Sequence, residues 1–185
     1  MTNQAIFLDR DGVINQERSD YVKTWSEFEF LPGALSALCD LATLNLPILV
    51  LTNQSVVGRG IVAQATIEMI HKQANAQIVR AGGRVDAFFL CPHHPDDRCL
   101  CRKPKPGLLL QAAAAFTLQL SECIFIGDSI TDALAAQAVG CQSLLVASGR
   151  QGKQLPELVV EHGLTVPIVT DLVKAVPLIK ANYVR

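Results

Sequence analysis

Short apolar runs rich in β-branched and aromatic residues recur at residues 5–8, 48–51, 87–90, 123–126 and 143–146, with helix-length segments between most of them. Strand alternating with helix argues for a parallel sheet with crossover helices. The runs are almost continuously apolar, without the polar alternation of a half-exposed strand, so both faces of the sheet should be covered. The expected fold is α/β, a doubly wound parallel sheet. Helices are expected over 33–44, 63–81, 107–118, 130–138 and 172–180. In the first of these, Leu35, Leu38, Cys39 and Ala42 share one stripe and should face the core. Thr170 or Asp171 is placed to cap the last helix.

Two segments break the alternation. Residues 15–32 form a long polar and aromatic connection with Tyr21, Trp25, Phe28 and Phe30, longer than an ordinary strand-to-helix loop and able to cover a site. Residues 91–106 are dense in Cys, His, Pro, Arg and Lys and are not expected to form a regular element. There is no internal repeat or interdomain linker. A chain of 185 residues suits one α/β domain, expected over 1–185, with no segment long enough for a separate cap domain.

Composition narrows the partners. Charged residues make up 18% of the chain and the formal net charge is −1, which gives no electrostatic case for nucleic acid or an anionic membrane. An anionic ligand must therefore meet local positive charge. The start, Met1-Thr2-Asn3-Gln4, is not basic, and no apolar run is long enough to span a bilayer, so a cytoplasmic, monomeric enzyme or binding protein is expected. Six cysteines without an export signal are expected to stay reduced. Cys39, Cys123 and Cys141 read as small buried hydrophobes, whereas Cys91, Cys99 and Cys101 cluster with histidines.

In an open parallel sheet ligands gather at the carboxyl ends of the strands, and three of the runs end in chemistry. The first ends in Asp9-Arg10-Asp11-Gly12. Residues two apart on a continuing strand share a face but stand about 7 Å apart, so the two carboxylates need a backbone turn, which Gly12 can supply, to act on one group. One carboxylate could then attack while the other handles protons; Asp-Gly is equally a plain way to leave a strand. The second run ends in Thr52-Asn53-Gln54-Ser55, a source of hydroxyl, amide and free backbone N–H groups, or an ordinary cap. The fourth ends in Gly127-Asp128-Ser129, with Asp132 one turn into the next helix, where it reads equally as a helix cap. Three acids at one crevice call for a divalent cation, and oxygen ligands favour magnesium. Fixed positive charge for a phosphoryl group is at hand in Arg102-Lys103-Pro104-Lys105.

The chain thereby resembles the haloacid dehalogenase-like superfamily of phosphotransferases: Asp9-Arg10-Asp11-Gly12-Val13, Thr52, Lys103 and Gly127-Asp128 match its motifs in order and in strand context. The resemblance implies that Asp9 is the nucleophile, Asp11 the acid and then base, and Thr52 and Lys103 the holders of the transferring group. It further implies that Asp9, the Asp11 carbonyl and Asp128 bind magnesium.

The segment Cys91-Pro92-His93-His94-Pro95-Asp96-Asp97-Arg98-Cys99-Leu100-Cys101 offers enough ligands for a closed, structural zinc site made by Cys91, His93, Cys99 and Cys101. Reduced surface thiols or a labile redox pair are the alternatives. His94 is open between zinc, substrate and solvent. Such a zinc loop, embedded at 91–106, would present Arg102 and Lys103 to a phosphate. Cys-Pro-His-X-Pro followed by Cys-X-Cys-Arg-Lys-Pro resembles two related groups, the heptose bisphosphate 7-phosphatases and the histidinol-phosphate phosphatases. Phe7 to Asn15, Thr52 to Ser55, Gly58-Arg59-Gly60 and Arg102 to Gly107 look closer to the heptose group. That resemblance implies a magnesium-dependent sugar-phosphate phosphatase on the route to nucleotide-activated heptose, with substrate contacts from Arg10, Glu17, Arg18, Ser19, Asp20, Asn53, Gln54, Ser55, Arg102 and Ser129. Histidinol phosphate is the alternative substrate, and a non-catalytic zinc-stabilised binding module the alternative of another class.

Overall fold

The structure, a computed structural model, describes residues 3–183. Met1 and Thr2, which belong to the N-terminal stretch weighed above, lie outside the described residues, as do the last two positions of the expected 1–185 domain. Six parallel strands form one sheet in the order β3-β2-β1-β4-β5-β6: β1 (Ile6–Leu8), β2 (Ile48–Asn53), β3 (Ala87–Cys91), β4 (Ile124–Gly127), β5 (Gln142–Val146) and β6 (Ile168–Val169). The helices are α1 (Ala34–Ala42), α2 (Ser55–Gly58), α3 (Gln64–Arg80), α4 (Gly107–Phe116), α5 (Ile130–Gln137), α6 (Leu155–Glu161) and α7 (Leu172–Tyr183). Among the described residues no helix is long and apolar enough to cross a membrane.

The period of two along each strand sorts its side chains into two cores. Ile6, Leu8, Ile48, Val50, Ile124, Ile126, Leu144 and Val146 are buried with side chains of α1, α3 and α7. Phe7, Leu49, Leu51 and Phe125 are buried with side chains of α4 and α5. Leu145 packs with Ile130, Ala133, Leu155 and Val159 against α5 and α6. The near-continuous apolarity of the strands thus reflects two covered faces. Phe7 and Phe125 meet edge to face at 6.3 Å between ring centroids, and truncating either to alanine should cost about 3–5 kcal/mol.

The five expected strands and five expected helices are present, with ends shifted by a few residues. The sequence pattern passes over α2, α6 and β6, which are short; β6 has two residues and α6 opens with a proline in its first turn. The stripe expected on α1 is rotated. Ala34, Ala37, Leu38 and Leu41 are buried, while Leu35, Cys39 and Ala42 flank them. Alanines carry a weak apolar signal, yet they fit where α1 is wedged between α3 and α7. Cys123 and Cys141 are buried as expected, whereas Cys39 is half-buried and its thiol donates to the Ala81 carbonyl at 2.9 Å. Asp171 caps α7, its Oδ1 accepting from the Lys174 N–H at 2.9 Å.

Candidate active site

β1 is flanked by β2 and β4, so the carboxyl ends of these three strands deliver their side chains to one crevice. The Asp9 N–H still donates to the Ile126 carbonyl at 2.9 Å, and then the chain leaves the sheet. Gly12 takes φ +80°, a conformation that costs a side-chain-bearing residue strain, and its N–H donates to the Asn15 carbonyl at 2.8 Å. The turn required to bring Asp9 and Asp11 together is therefore built at Gly12. Both line a cavity of about 350 Å³, together with Thr52, Lys103, Asp128 and Ser129.

Lys103 lies almost wholly buried beneath this cavity. Its Nζ is 2.9 Å from Asp9 Oδ2 and 2.7 Å from Asp132 Oδ1 and donates to the Leu51 carbonyl at 3.0 Å. Burial would lower its pKa, but the carboxylates of Asp132 and Asp9 more than reverse that and raise it. The amide of Asn53 clamps the Lys103 backbone from both sides, Nδ2 donating to its carbonyl and Oδ1 accepting from its N–H, each at 3.2 Å. Burial pushes Asp9 up to about 7, with Lys103 opposing and Asp132 and Asp11 adding to the rise.

Asp11 is held differently. Its Oδ1 accepts from Arg10 Nη2 and Asn15 Nδ2, and its Oδ2 from Gln54 Nε2, all at 2.8 Å. Gln54 Nε2 also donates to Thr52 Oγ1 at 2.8 Å, tying the ends of β1 and β2 together. Burial raises the Asp11 pKa, but the Arg10 charge and these hydrogen bonds outweigh it and hold the carboxyl below the ordinary range.

Several expected substrate contacts are also tied to protein partners. The Arg10 side chain is 1% exposed; its guanidinium is spent on Asp11 and on His71 Nε2, 3.2 Å away, so it braces the site from within. The amides of Asn53 and Gln54 are committed to the clamps just described. The Gln54 N–H, expected to be free, donates to the Cys91 carbonyl at 2.8 Å because β3 runs on beside it. Asp20 does not line the cavity but pairs at the surface with Arg18 and Lys23. Arg10, Glu17, Arg18, Ser19, Asn53, Gln54, Ser55, Arg102 and Ser129 do line it. Arg102 Nη1 is buried without a hydrogen-bond partner among the described residues, which suits a wall awaiting an anion.

Asp128 sits between two glycines. A Cβ on either Gly12 or Gly149 would run into its carboxylate. Burial, together with Asp9, Asp132 and Glu17, raises its pKa to about 9 against the pull of Lys103. Oxygen atoms of Asp9, Asp128 and Asp132 lie within 4.8 Å of one another. Asp132 is already engaged, its Oδ1 by Lys103 and its Oδ2 by the Ser129 N–H at 3.1 Å in a capping box on α5. The Asp9 and Asp128 carboxylates, crowded and oxygen-only, fit a hard divalent cation that would relieve their repulsion.

Sequence reading missed His71 and Arg150. His71 lies on α3, far from any strand end, and carried no motif. Arg150 follows β5: its N–H donates to Glu17 Oε2 at 3.0 Å, and its Nη2 lies 3.1 Å from Glu17 Oε1 and donates to the Arg18 carbonyl at 3.1 Å. The loop after β5 thereby holds the 15–32 loop over the cavity. The signal that could have found it is Ser148-Gly149-Arg150, placed directly after a fifth strand.

Beside the crevice Cys91, His93, Cys99 and Cys101 converge. Their sulfur atoms are 3.1–3.6 Å apart, and His93 Nδ1 is 3.5 Å from Cys91 Sγ and 3.2 Å from Cys101 Sγ. Metal–sulfur bonds of about 2.3 Å in a tetrahedron put sulfurs roughly 3.8 Å apart, so the donor set fits one small cation with slight expansion. His94 is outside the cluster: its Nδ1 accepts from the Asp96 N–H and caps a short 3-10 turn at Pro95–Asp97.

An open parallel sheet that gathers an Asp-X-Asp pair, a buried lysine and a further aspartate at its strand ends defines a haloacid dehalogenase-like hydrolase, and the HAD-hydrolase-like family model matches residues 100–175. The chain is 42% identical over 161 residues to D-glycero-beta-D-manno-heptose-1,7-bisphosphate 7-phosphatase of Pseudomonas aeruginosa, covering 85% of this chain and 90% of that protein. It is 40% identical over 155 residues to D-glycero-alpha-D-manno-heptose-1,7-bisphosphate 7-phosphatase of Mycobacterium tuberculosis, covering 80% and 82%. The crystal structure of D,D-heptose 1,7-bisphosphate phosphatase from B. bronchiseptica, complexed with magnesium and phosphate, superposes with a TM-score of 0.88 at 36% identity, covering 98% of this chain and 99% of that one. The chain belongs to the heptose-1,7-bisphosphate 7-phosphatase family of haloacid dehalogenase-like hydrolases.

Proposed function

We propose that this protein is a phosphoric monoester hydrolase that removes the 7-phosphate of D-glycero-D-manno-heptose 1,7-bisphosphate. The observation that carries the reading is the Asp9 carboxylate, fixed by Lys103 in the same cavity as Asp11 and Asp128, in a chain 42% identical to a phosphatase of that name. An Asp9 carboxylate oxygen attacks phosphorus and the bond to the sugar oxygen breaks, while Asp11, which takes up a proton once the anionic substrate lies beside it, gives that proton to the departing oxygen. Asp11 then takes a proton from water as the water oxygen attacks the aspartyl-phosphate, releasing phosphate and restoring Asp9. Thr52 and Lys103 hold the transferring group, and Arg18, Ser55, Arg102 and Ser129 face the rest of the substrate. Asp9, the Asp11 carbonyl and Asp128 would hold magnesium, which would supply charge neutralisation for the phosphoryl oxygens.

Cys91, His93, Cys99 and Cys101 would hold a structural zinc that stiffens a loop in which, contrary to expectation, β3 runs on to Cys91 and a short 3-10 turn forms at Pro95–Asp97. That loop leads directly into Arg102 and Lys103. The whole chain works as one domain with this loop embedded in it.

The test is turnover with magnesium on both anomers of heptose 1,7-bisphosphate and on histidinol phosphate, by wild type and Asp9→Asn. Release of phosphate from the heptose substrate by wild type alone is expected. Turnover surviving in Asp9→Asn would overturn the covalent mechanism, and preference for histidinol phosphate would overturn the substrate.

A further inference from the structure

Three side chains in contact, Asp11, Arg10 and His71, lead from the active-site cavity to a second, open cavity lined by His71 of α3 and by Phe88, Phe89 and Leu90 of β3. Arg10 Nη2 donates to Asp11 Oδ1 at 2.8 Å, and Arg10 Nη1 lies 3.2 Å from His71 Nε2. A guanidinium has donors only, so the imidazole nitrogen facing it must offer a lone pair. His71 is therefore neutral with its proton on Nδ1, and burial together with the Arg10 charge favours that state by depressing its pKa to about 3. The ring is fixed in turn. It is 4% exposed and lies flat on Phe88 of β3, the ring centroids 4.6 Å apart and the planes 17° from parallel.

Arg10 needs this contact. Among the described residues its Nε is buried without a hydrogen-bond partner, and beyond Asp11 the contacts shown for its guanidinium are the Phe28 ring, 5.9 Å away, and His71. Without the imidazole, the guanidinium would lose the contact that fixes it on the side away from Asp11, loosening one of the three side-chain hydrogen bonds that orient the Asp11 carboxylate. Displacement of a reacting group by about 1 Å can cost on the order of 10²-fold in rate.

We propose that His71 is a positioning residue for the proton-carrying carboxylate of Asp11, acting through Arg10. The inference rests on the reading of Asp11 as the acid that protonates the departing sugar oxygen.

That role gives a signature that loss of packing does not. A sugar alkoxide needs the Asp11 proton to leave, whereas p-nitrophenolate leaves with little help. His71→Leu fills a similar space with no acceptor, His71→Asn is too short to reach Arg10, and His71→Gln returns an acceptor oxygen. Measured as kcat/KM with magnesium, His71→Leu and His71→Asn should lose about tenfold or more on the heptose bisphosphate and much less on p-nitrophenyl phosphate, with His71→Gln recovering most of the loss. Asp11→Asn, run alongside, should show the same substrate dependence more strongly. If Asp11→Asn loses both substrates equally, the assignment of Asp11 fails. If Asp11→Asn discriminates while the folded His71 variants lose both equally, or neither, the role of His71 is overturned.

Discussion

The Lys103 ammonium stands 2.9 Å from the Asp9 carboxylate, in a place where both are almost sealed from water. One comes from the turn after β1 and the other from the end of the cysteine loop, so the contact joins the proposed nucleophile to the segment that the proposed zinc would stiffen. Lys103 also faces Asp132 at 2.7 Å, and it is the only cation shown touching either carboxylate among the described residues. Lys103→Met should therefore lower kcat/KM by about 10²–10³-fold. It should also cost roughly 3–5 kcal/mol at neutral pH, because two buried carboxyls lose their partner. Phosphate release and urea denaturation measure the two effects, and near-normal activity would remove Lys103 from the mechanism.

The seat of Asp128 depends on missing side chains. Gly149→Ala places a methyl group where the Asp128 carboxylate lies. The expected outcome is at least about a tenfold weaker apparent affinity for magnesium, with the fold retained by circular dichroism. Calorimetric titration with magnesium reads this directly, and an unchanged isotherm would mean that Asp128 does not bind the cation.

Protonation should compete with the metal. Without a cation, Asp9 is raised to about 7 and Asp128 to about 9, from an ordinary value of 3.8. The folded protein then binds more protons than the unfolded chain between those limits, so the stability these groups contribute is full below about 3.8 and is lost as pH rises through about 7 to 9. Magnesium should reverse the trend, binding more tightly at higher pH and releasing protons as it binds. Thermal melts from pH 5 to 9 with and without magnesium should show a stabilisation that grows with pH; a constant increment would contradict the shifts.

About one zinc per chain is expected in natively purified protein, measured by elemental analysis. Cys99→Ser should lose it and melt at lower temperature. Activity should fall as well, since the Gln54 and Gly58 N–H groups donate to the Cys91 and Pro92 carbonyls and couple the loop to the end of β2. Full activity in a zinc-free variant would make the cluster dispensable to the site.

Much of the crevice is legible in the sequence. Apolar runs end in Asp9, Thr52 and Asp128, and a parallel sheet leaves such ends on one side. The cysteines and His93 stand close enough in sequence for their convergence to be foreseen. His71 and the inward turn of Arg10 are not legible, because each depends on which helix face packs against a partner far away in the chain; Arg150 carries only the weak signal of its place after β5. Arg10 reads in sequence as a cation beside two acids, and only the burial of its side chain shows that it serves Asp11.

What the sequence determined by itself is the strand rhythm and the residue types at each strand end, since burial on both faces demands apolar runs and phosphoryl chemistry demands paired carboxylates. What tertiary structure decided is the electrostatic setting of each member of the Asp9–Asp11 pair. Asp9 lies against Lys103 and other acids, and burial raises its pKa; Asp11 lies against Arg10, Asn15 and Gln54, which hold its pKa down. Two identical side chains two positions apart acquire opposite properties because electrostatic environment is set by neighbours in space, and those neighbours come from the turn after β1, the end of β2, the segment after β3 and α5.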